Sequence, residues 1–142
     1  MNVEKQIKLS FHGVDILNVQ FIAESILDKN VNVDIIIKPK VFYPVNSPLE
    51  FKIIFDTQLK ANGFFELKLN AVGHFSISND VDEETQKKFI NTNAPAIMFP
   101  YVRSFITTFT SNLGNVTGPL TIPPHFFSGQ LEELTENSLP KP

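Results

Sequence analysis

Three histidines are the first residues to test for metal binding or acid–base chemistry. His12 and His74 lie in segments that alternate apolar and polar residues, and His125 follows two prolines. No two of them have the spacing of a helical zinc site, and the chain contains no cysteine to complete a ligand set. We therefore expect no metal site, and we interpret His74 as a solvent-facing strand residue.

The acidic stretch DVDEE, residues 80–84, is a second candidate, either for a calcium site or for a catalytic carboxylate pair. A calcium loop needs alternating oxygen ligands and a distal glutamate, which this stretch lacks. Lys87 and Lys88 follow it, so the order of charges predicts a short helix with Asn79 or Asp80 as its N-cap. Phosphate-binding glycine loops and nucleophile motifs are also missing. We expect neither an enzyme nor a bound cofactor.

Arg103 is the only formally charged residue between positions 91 and 131. It either pairs with an acid across an interface or faces water. Pro95 and Pro100 interrupt this neutral tract, so it has no run of about 18 apolar residues, and we expect no membrane insertion. A net charge of −3 without basic clusters argues against nucleic-acid binding. Charged residues near Met1 argue against a signal peptide, so we expect a cytoplasmic protein.

The first half of the chain has the period-two pattern of antiparallel strands. QIKLSF and DILNVQFIAES predict one strand that bends at Gly13, with Leu17, Val19 and Phe21 on one face, and VNVDIII predicts a second. LEFKIIFDTQLKA and FELKLNAVGHFSI carry apolar residues at odd positions, as half-buried antiparallel strands do. The prolines of VFYPVNSP place that segment at an edge or in a crossover loop.

The turn KANGFF sets the register between the third and fourth strands. A two-residue loop at the Asn-Gly dipeptide would pair odd with even positions and split the apolar faces. A three-residue Ala-Asn-Gly loop instead pairs Leu59 with Phe65 and Phe55 with Leu69, with Gly63 in the left-handed conformation of a bulge. We predict the three-residue loop.

The second half of the chain predicts helices. NAPAIMFPYVRSFITTF has helical periodicity through Met98, Val102 and Phe109, and FFSGQLEELTENS predicts a short last helix. Strands followed by helices indicate one α+β domain over residues 1–142, with a four-stranded antiparallel sheet and helices packed on one face.

The long helix is apolar on more than one side, which indicates two burial partners. The sheet covers one side. The other is covered by a second subunit or by this chain itself, and we favour the subunit because large apolar patches mark interfaces. The expected oligomer-interface residues are Ile97, Phe99, Tyr101, Arg103, Phe105, Ile106 and Phe109.

Several motifs together resemble the SecB protein-export chaperone family. NAPAIMFPYVRSFITTFTSNLG contains the family's F-P-Y-x-R helix, here Phe99, Pro100, Tyr101 and Arg103. GPLTIPPHFF is similar to the Gly/Pro loop that opens the family's last helix, and GHFSI is similar to the close of its fourth strand. The order of elements agrees across nearly the whole chain, although the stretch NSLPKP does not resemble the family's SecA-contacting tail.

The resemblance implies a homotetramer built as a dimer of dimers, with the long helices between the dimers. It also implies ATP-independent holding of unfolded polypeptides in apolar grooves, with possible delivery to the SecA motor. The groove residues that the resemblance implies by position in the crossover loop are Val41, Phe42, Tyr43 and Val45. Phe127 is implied by the motif, and Phe126, Leu131 and Leu134 follow from the predicted last helix. Two roles stay open: a general holding chaperone, and a chaperone of one dedicated partner, such as an antitoxin.

Overall fold

The computed structural model describes residues 9–47, 49–124, 127 and 129–140. The strands are β1 (Leu9–Ala23), β2 (Asp34–Phe42), β3 (Glu50–Ala61), β4 (Phe65–Ile77) and β5 (Glu132–Glu133). They form one sheet in the order β1-β4-β3-β2-β5, antiparallel except for the parallel pair β2–β5. The helices are α1 (Glu83–Lys88) and α2 (Ala94–Ser111), joined by a π-helical turn (Phe89–Asn93). The α+β prediction is confirmed, with a short fifth strand added.

The odd-numbered residues of β3 and β4 form the core beneath α2, as their alternation predicts. Phe51, Phe55 and Phe75 are each about 1 % exposed or less. The even-numbered residues point to the other side of the sheet, the open face, where most of them are polar. The two faces of the sheet therefore differ sharply in chemistry.

In the hairpin between β3 and β4, odd-numbered residues lie opposite odd-numbered residues, as predicted. The predicted pairs are nevertheless wrong by two residues. Leu59 lies opposite Leu67, and Ala61 lies opposite Phe65. The three-residue loop is Asn-Gly-Phe rather than Ala-Asn-Gly, because the Phe64 amide donates to the Ala61 carbonyl at 2.9 Å and closes the turn one residue later. Gly63 has φ +83° there, as a tight turn requires.

Strand β1 contains two bulges, which change the face of its side chains. The first lies at His12, beside Gly13 with φ +124°, and confirms the predicted bend. The second lies at Leu17, whose side chain packs against Ile54 and Val72 on the open face. The prediction that Leu17 shares a face with Val19 and Phe21 is therefore wrong, because the extra residue breaks the alternation.

Helix α1 forms where the charge order predicts it, but its N-cap is Asp82 rather than Asn79 or Asp80. The Thr85 amide donates to the Asp82 carboxylate at 2.7 Å. Hydrogen bonds from the Thr85 side chain and backbone lower the pKa of Asp82 below its ordinary value.

Helix α2 buries one stripe of side chains on the sheet, including Met98, Val102 and Ile106. It crosses β4 closely at Gly73, where a Cβ atom would lie 2.7 Å from the Met98 sulfur. Pro100 lies inside the helix on its exposed side, so the carbonyl that loses its donor faces solvent. Within the described ranges, no helix is long and apolar enough to cross a membrane.

Candidate functional site

The outer edge of β2 carries a groove with an apolar wall, which we call the β2-edge groove. It consists of two separate hollows that follow each other along this edge. Ile35 and Ile37 line the first together with residues 122–124, and Val41 and Tyr43 line the second together with Gln130, Leu131 and Glu133. Strand β5 pairs with Lys40 and Val41, between the residues of β2 that line the first hollow and those that line the second. Among the described residues, no strand pairs with this edge between Asp34 and Pro39.

The first hollow lies beside the unpaired half of β2 and has a volume of about 190 Å³. Ile35, Ile37, Ile122, Pro123 and Pro124 line it, so it contains no charged side chain. The Ile35 side chain is 37 % exposed although it is large and apolar. This hollow suits an aliphatic or aromatic side chain of an extended peptide.

The second hollow lies between the end of β2, the π-helical turn and residues 130–133, and has a volume of about 210 Å³. Val41 and Leu131 are its apolar lining residues. Its polar and charged lining residues are Tyr43, Lys87, Asn91, Gln130 and Glu133. Burial and the nearby Glu133 carboxylate raise the pKa of Tyr43, so the phenol stays neutral at physiological pH. The hollow therefore combines a small apolar surface with hydrogen-bonding groups and charges of both signs.

Glu132 and Glu133 reach the groove as a strand, and only a single 3-10 turn, Glu136–Ser138, follows them. The predicted last α-helix is therefore wrong for the described part of that segment. The Leu134 amide donates to the Val41 carbonyl at 2.8 Å, and the Leu131 amide donates to Asn91 Oδ1 at 2.9 Å. The free edge of β2 thus gives this segment long-range partners that a local helix pattern ignores. Pro39 has no N–H to continue the parallel ladder beyond Lys40, which explains why β5 is short.

A cluster of aromatic rings supports the groove from the core. The Phe127 ring packs edge-on against Phe55 and Phe99, with centroid distances of 5.4 Å to each. Phe127 is only 8 % exposed. It therefore anchors the segment that precedes β5 to the core beneath α2.

Three side chains of α2 hold the loop that forms the outer wall. Arg103 Nε donates to the Ile122 carbonyl at 2.8 Å, and Thr107 Oγ1 donates to the Leu120 carbonyl at 2.7 Å. The Leu120 amide in turn donates to Thr110 Oγ1 at 2.9 Å. Arg103 thus has a partner within its own chain, and it lies 5.8 Å from the centre of the Phe99 ring.

The predicted groove residues divide between exposed and buried positions. Tyr43 and Val45 are exposed, at 39 % and 81 %. Val41 and Phe42 are buried on opposite faces of the sheet, so the expectation that both side chains line one open groove is wrong. Strand alternation is the reason.

The same alternation separates two further groove residues. Leu131 packs in the main core, whereas Leu134 packs with Phe42 on the open face. Phe127 is part of the aromatic cluster. Phe126 lies outside the described residues.

The predicted interface residues also divide. Ile97 and Tyr101 are exposed on α2, at 39 % and 53 %, and available to a second subunit. Phe105, Phe109 and Arg103 are half-buried. Phe99 and Ile106 are 4 % and 0 % exposed, so they belong to the core of this chain rather than to an outward face. The remaining outward positions of α2 are mainly small or hydroxyl-bearing residues, not apolar ones: Ala96, Pro100, Ser104, Thr108 and Ser111.

The open face of the sheet is held by a polar network across four strands. Lys40 Nζ lies 2.8 Å from Asp56 Oδ2, and Asn70 Nδ2 donates to the other oxygen of the Asp56 carboxylate. Asn18 Nδ2 donates to Asn70 Oδ1 at 3.0 Å. His74 also lies on this face, as predicted, with Nε2 at 2.8 Å from Asp15 Oδ2. No metal-binding group of three His, Asp or Glu residues occurs within the described part of the chain.

Sequence reasoning missed Ile35, Ile37, Ile122 and Asn91 as groove residues. Ile35 and Ile37 read as ordinary strand core, and only the strand order makes β2 an outer strand. One signal was available for α2: Arg103, Thr107 and Thr110 recur at helical spacing, which indicates a polar stripe facing a partner segment.

The comparisons with known proteins agree with this architecture. The family model described as preprotein translocase subunit SecB matches residues 15–128. The uncharacterized protein MJ0357 of Methanocaldococcus jannaschii is 27 % identical over 96 % of this chain and 90 % of its own length. The Rv1957 SecB-like chaperone of Mycobacterium tuberculosis, solved with a ChAD peptide from the HigA1 antitoxin, superposes with a TM-score of 0.69 at 15 % identity. It covers 86 % of this chain and 94 % of its own. Because the family model spans most of the sequence, the protein belongs to the SecB family.

Proposed function

We propose that the protein is an ATP-independent chaperone that holds unfolded or precursor polypeptides in the β2-edge groove. The observation that carries this proposal is the combination of an unpaired strand edge with an apolar hollow at Ile35 and Ile37. Family membership supports the same function. Holding requires no catalytic group, since the client is bound by burial and backbone pairing and is released unchanged.

The geometry supports recognition of extended segments in general. The Val41 carbonyl faces β5, so the alternate residues Ile35 and Ile37 direct their backbone groups to the same outer side. A client strand would pair with these groups regardless of its sequence, and its apolar side chains would enter the two hollows. Each buried apolar surface contributes about 25 cal/mol per Å², so several weak contacts suffice for useful affinity.

We also propose that the protein is a cytoplasmic homotetramer, a dimer of dimers, in which Ile97 and Tyr101 of α2 contact another subunit. Their exposure supports this role. If the protein serves in protein export, its clients would be delivered to SecA. The alternative is a chaperone for one dedicated partner, and it is supported by the antitoxin peptide seen with the structurally similar Mycobacterium tuberculosis protein.

Suppression of aggregation by variants with altered groove residues tests the proposal. Tyr43→Ser changes a lining residue of the second hollow, and Val45→Ser changes an exposed residue that the family resemblance assigns to the groove. Combined, they remove exposed apolar surface just after β2 without touching the buried core. We expect this variant to lose most of its ability to suppress light scattering by several unrelated, chemically denatured proteins. Its unfolding midpoint in urea should stay close to that of the wild type.

The matched control is Ile22→Ser combined with Ile26→Ser, which changes two exposed apolar side chains at 68 % and 66 % exposure outside the groove. This control should retain full suppression. Equal loss in both variants would contradict the groove assignment. The dedicated-partner alternative predicts a different result for the wild type. It would suppress the aggregation of none of the unrelated clients and would bind a single antitoxin-derived peptide stoichiometrically.

A further inference from the structure

Residues 129–140, which we call the strap, are the segment of this chain that covers part of the β2 edge. The strap starts at Gly129, whose φ of +83° suits a glycine, and follows directly on the segment anchored by Phe127. It crosses the edge with Leu131 packed in the core beneath α2 and Leu134 and Leu139 packed on the open face. The strap therefore crosses the edge of the sheet and packs on both of its faces.

The strap uses the backbone groups that an extended client would use. Its Leu134 amide donates to the outward carbonyl of Val41. Its Leu131 side chain forms part of the second hollow, where a client side chain would enter. A client strand that pairs along β2 from Ile35 toward Val41 meets the strap at Lys40 and Val41.

The backbone pairing between the strap and β2 is short. Only two residues of the strap pair with β2, and Pro39 offers no N–H to continue this ladder. Glu132 and Glu133 are both exposed, and the ion pair between Lys40 Nζ and Glu132 Oε2 is at 4.0 Å. Such a short parallel pair contributes little by itself, so Leu131, Leu134 and Leu139 provide most of the hold of the strap.

We propose that the strap is an intramolecular competitor for the client, and that a client displaces it from Val41 to occupy the full length of the groove. This inference rests on the proposed holding function and adds its regulation. The apparent affinity for clients equals the intrinsic affinity of the open groove multiplied by the fraction of molecules in which the strap is open. Asn91 positions the start of the strap. Its Oδ1 accepts a hydrogen bond from the Leu131 amide at 2.9 Å, while its Nδ2 donates to the Lys87 carbonyl at 2.8 Å.

A reversible cross-link tests the competition. Lys40 and Glu132 are register partners in adjacent strands, and neighbouring strands lie about 4.8 Å apart, within the Cα range of disulfides. The chain has no cysteine, so the double variant Lys40→Cys/Glu132→Cys forms a single bridge. The probe is a fluorescein-labelled, lysine-flanked peptide of alternating valine and threonine, read by fluorescence anisotropy.

We expect the oxidised double variant to bind this peptide at least about tenfold more weakly than the same protein after reduction, since a closed strap removes the competent state. The single variant Glu132→Cys should show no dependence on the redox state. Equal binding by the oxidised and reduced forms would overturn the competition while leaving the holding function intact. Failure of the wild type to bind this peptide, and to suppress aggregation, would overturn the holding function and the inference with it.

A variant that weakens the attachment of the strap, which we call the release variant, should change the peptide affinity in the opposite direction. Leu134→Ser combined with Leu139→Ser removes both apolar anchors on the open face, and Leu49→Ser is the matched control at an exposed leucine outside the strap. We expect faster hydrogen exchange at the Leu134 amide and several-fold tighter peptide binding in the release variant only. Faster exchange with unchanged or weaker binding would contradict the inference.

Discussion

The two faces of the sheet contrast in how they are stabilised. The face beneath α2 is packed with aromatic and aliphatic side chains, and Phe55 at its centre contacts the rings of both Phe99 and Phe127. The open face is held mainly by hydrogen bonds and ion pairs, from Lys40 through Asp56 and Asn70 to Asn18. Among the described residues, the buried apolar cluster on this face consists of Phe42, Ile54 and Val72, covered by Leu17 and the strap.

This contrast explains why the candidate site lies at the edge of β2. An apolar client segment gains little on the open face, because binding there would strip water from charged and amide groups. The face beneath α2 is already filled. At the outer edge of β2, unpaired backbone groups lie beside an apolar wall, and the loop held by Arg103 adds Ile122 to that wall.

The largest expected effect comes from the centre of the packed face. Phe55→Ala should lower the free energy of unfolding by about 3–5 kcal/mol, since it removes a fully buried ring and leaves a cavity between Phe99 and Phe127. Urea denaturation measures the loss. The control Ile36→Ala, at a 48 %-exposed position of the open face, should stay within about 0.5 kcal/mol of the wild type. Similar losses in both variants would contradict the contrast between the faces.

The close crossing of α2 over β4 gives the next largest effect. Gly73→Ala should destabilise the protein by about 1–3 kcal/mol, because the new methyl group would overlap the Met98 sulfur in a fully packed region. Met98→Ala should itself cost about 2–5 kcal/mol, because Met98 is fully buried. The double variant should lose less than the sum of the two single losses, since the shorter side chain gives the methyl group room. Strictly additive losses, measured by thermal unfolding, would show that the contact with Met98 is not the cause.

A smaller effect is expected in the polar network. Asn70→Ala removes the bonds to Asp56 and Asn18 and should cost about 1 kcal/mol, because the freed groups on this half-exposed face regain water. The same urea titration measures this cost. A loss comparable to that of Phe55→Ala would mean that the open face contributes as much to stability as the packed one.

The smallest effect is a pH dependence at Lys40. Its pKa is raised above 10.5, first by the hydrogen bond to Asp56, and the Glu132 carboxylate adds to the shift. A raised pKa in the folded state stabilises the fold below the unfolded pKa, and this contribution disappears as the pH rises through the folded pKa. The stability difference between wild type and Lys40→Met should therefore be constant from pH 7 to about 9.5 and shrink above about 10.5. A difference that grows with pH would have the wrong sign.

The sequence predicts the faces of β3 and β4 well, because burial of one face forces a period of two. It does not predict the register of their hairpin, since parity is preserved when the pairs shift by two residues, as they do at Leu59. The polar stripe of Arg103, Thr107 and Thr110 indicates a partner segment, but the sequence does not identify the Ile122 carbonyl as the acceptor, because every residue carries such a carbonyl.

The strap shows the opposite failure, in which a local pattern misled. Leu131 and Leu134 have helical spacing, yet an odd spacing along a strand places two side chains on opposite faces. The free edge of β2 and the apolar cluster on the open face use both leucines in this way. Long-range pairing therefore decided the structure of this segment against its local preference.

Hydrogen exchange with and without a bound client tests the central claim, that the β2 edge is the holding site, most directly. With the valine–threonine peptide in excess, we expect the amides of Ile35 and Ile37 to become protected, while exchange along β1, which is paired on one side by β4, stays unchanged. Protection confined to β1 or to the open face, with Ile35 and Ile37 exchanging as in the free protein, would contradict the account.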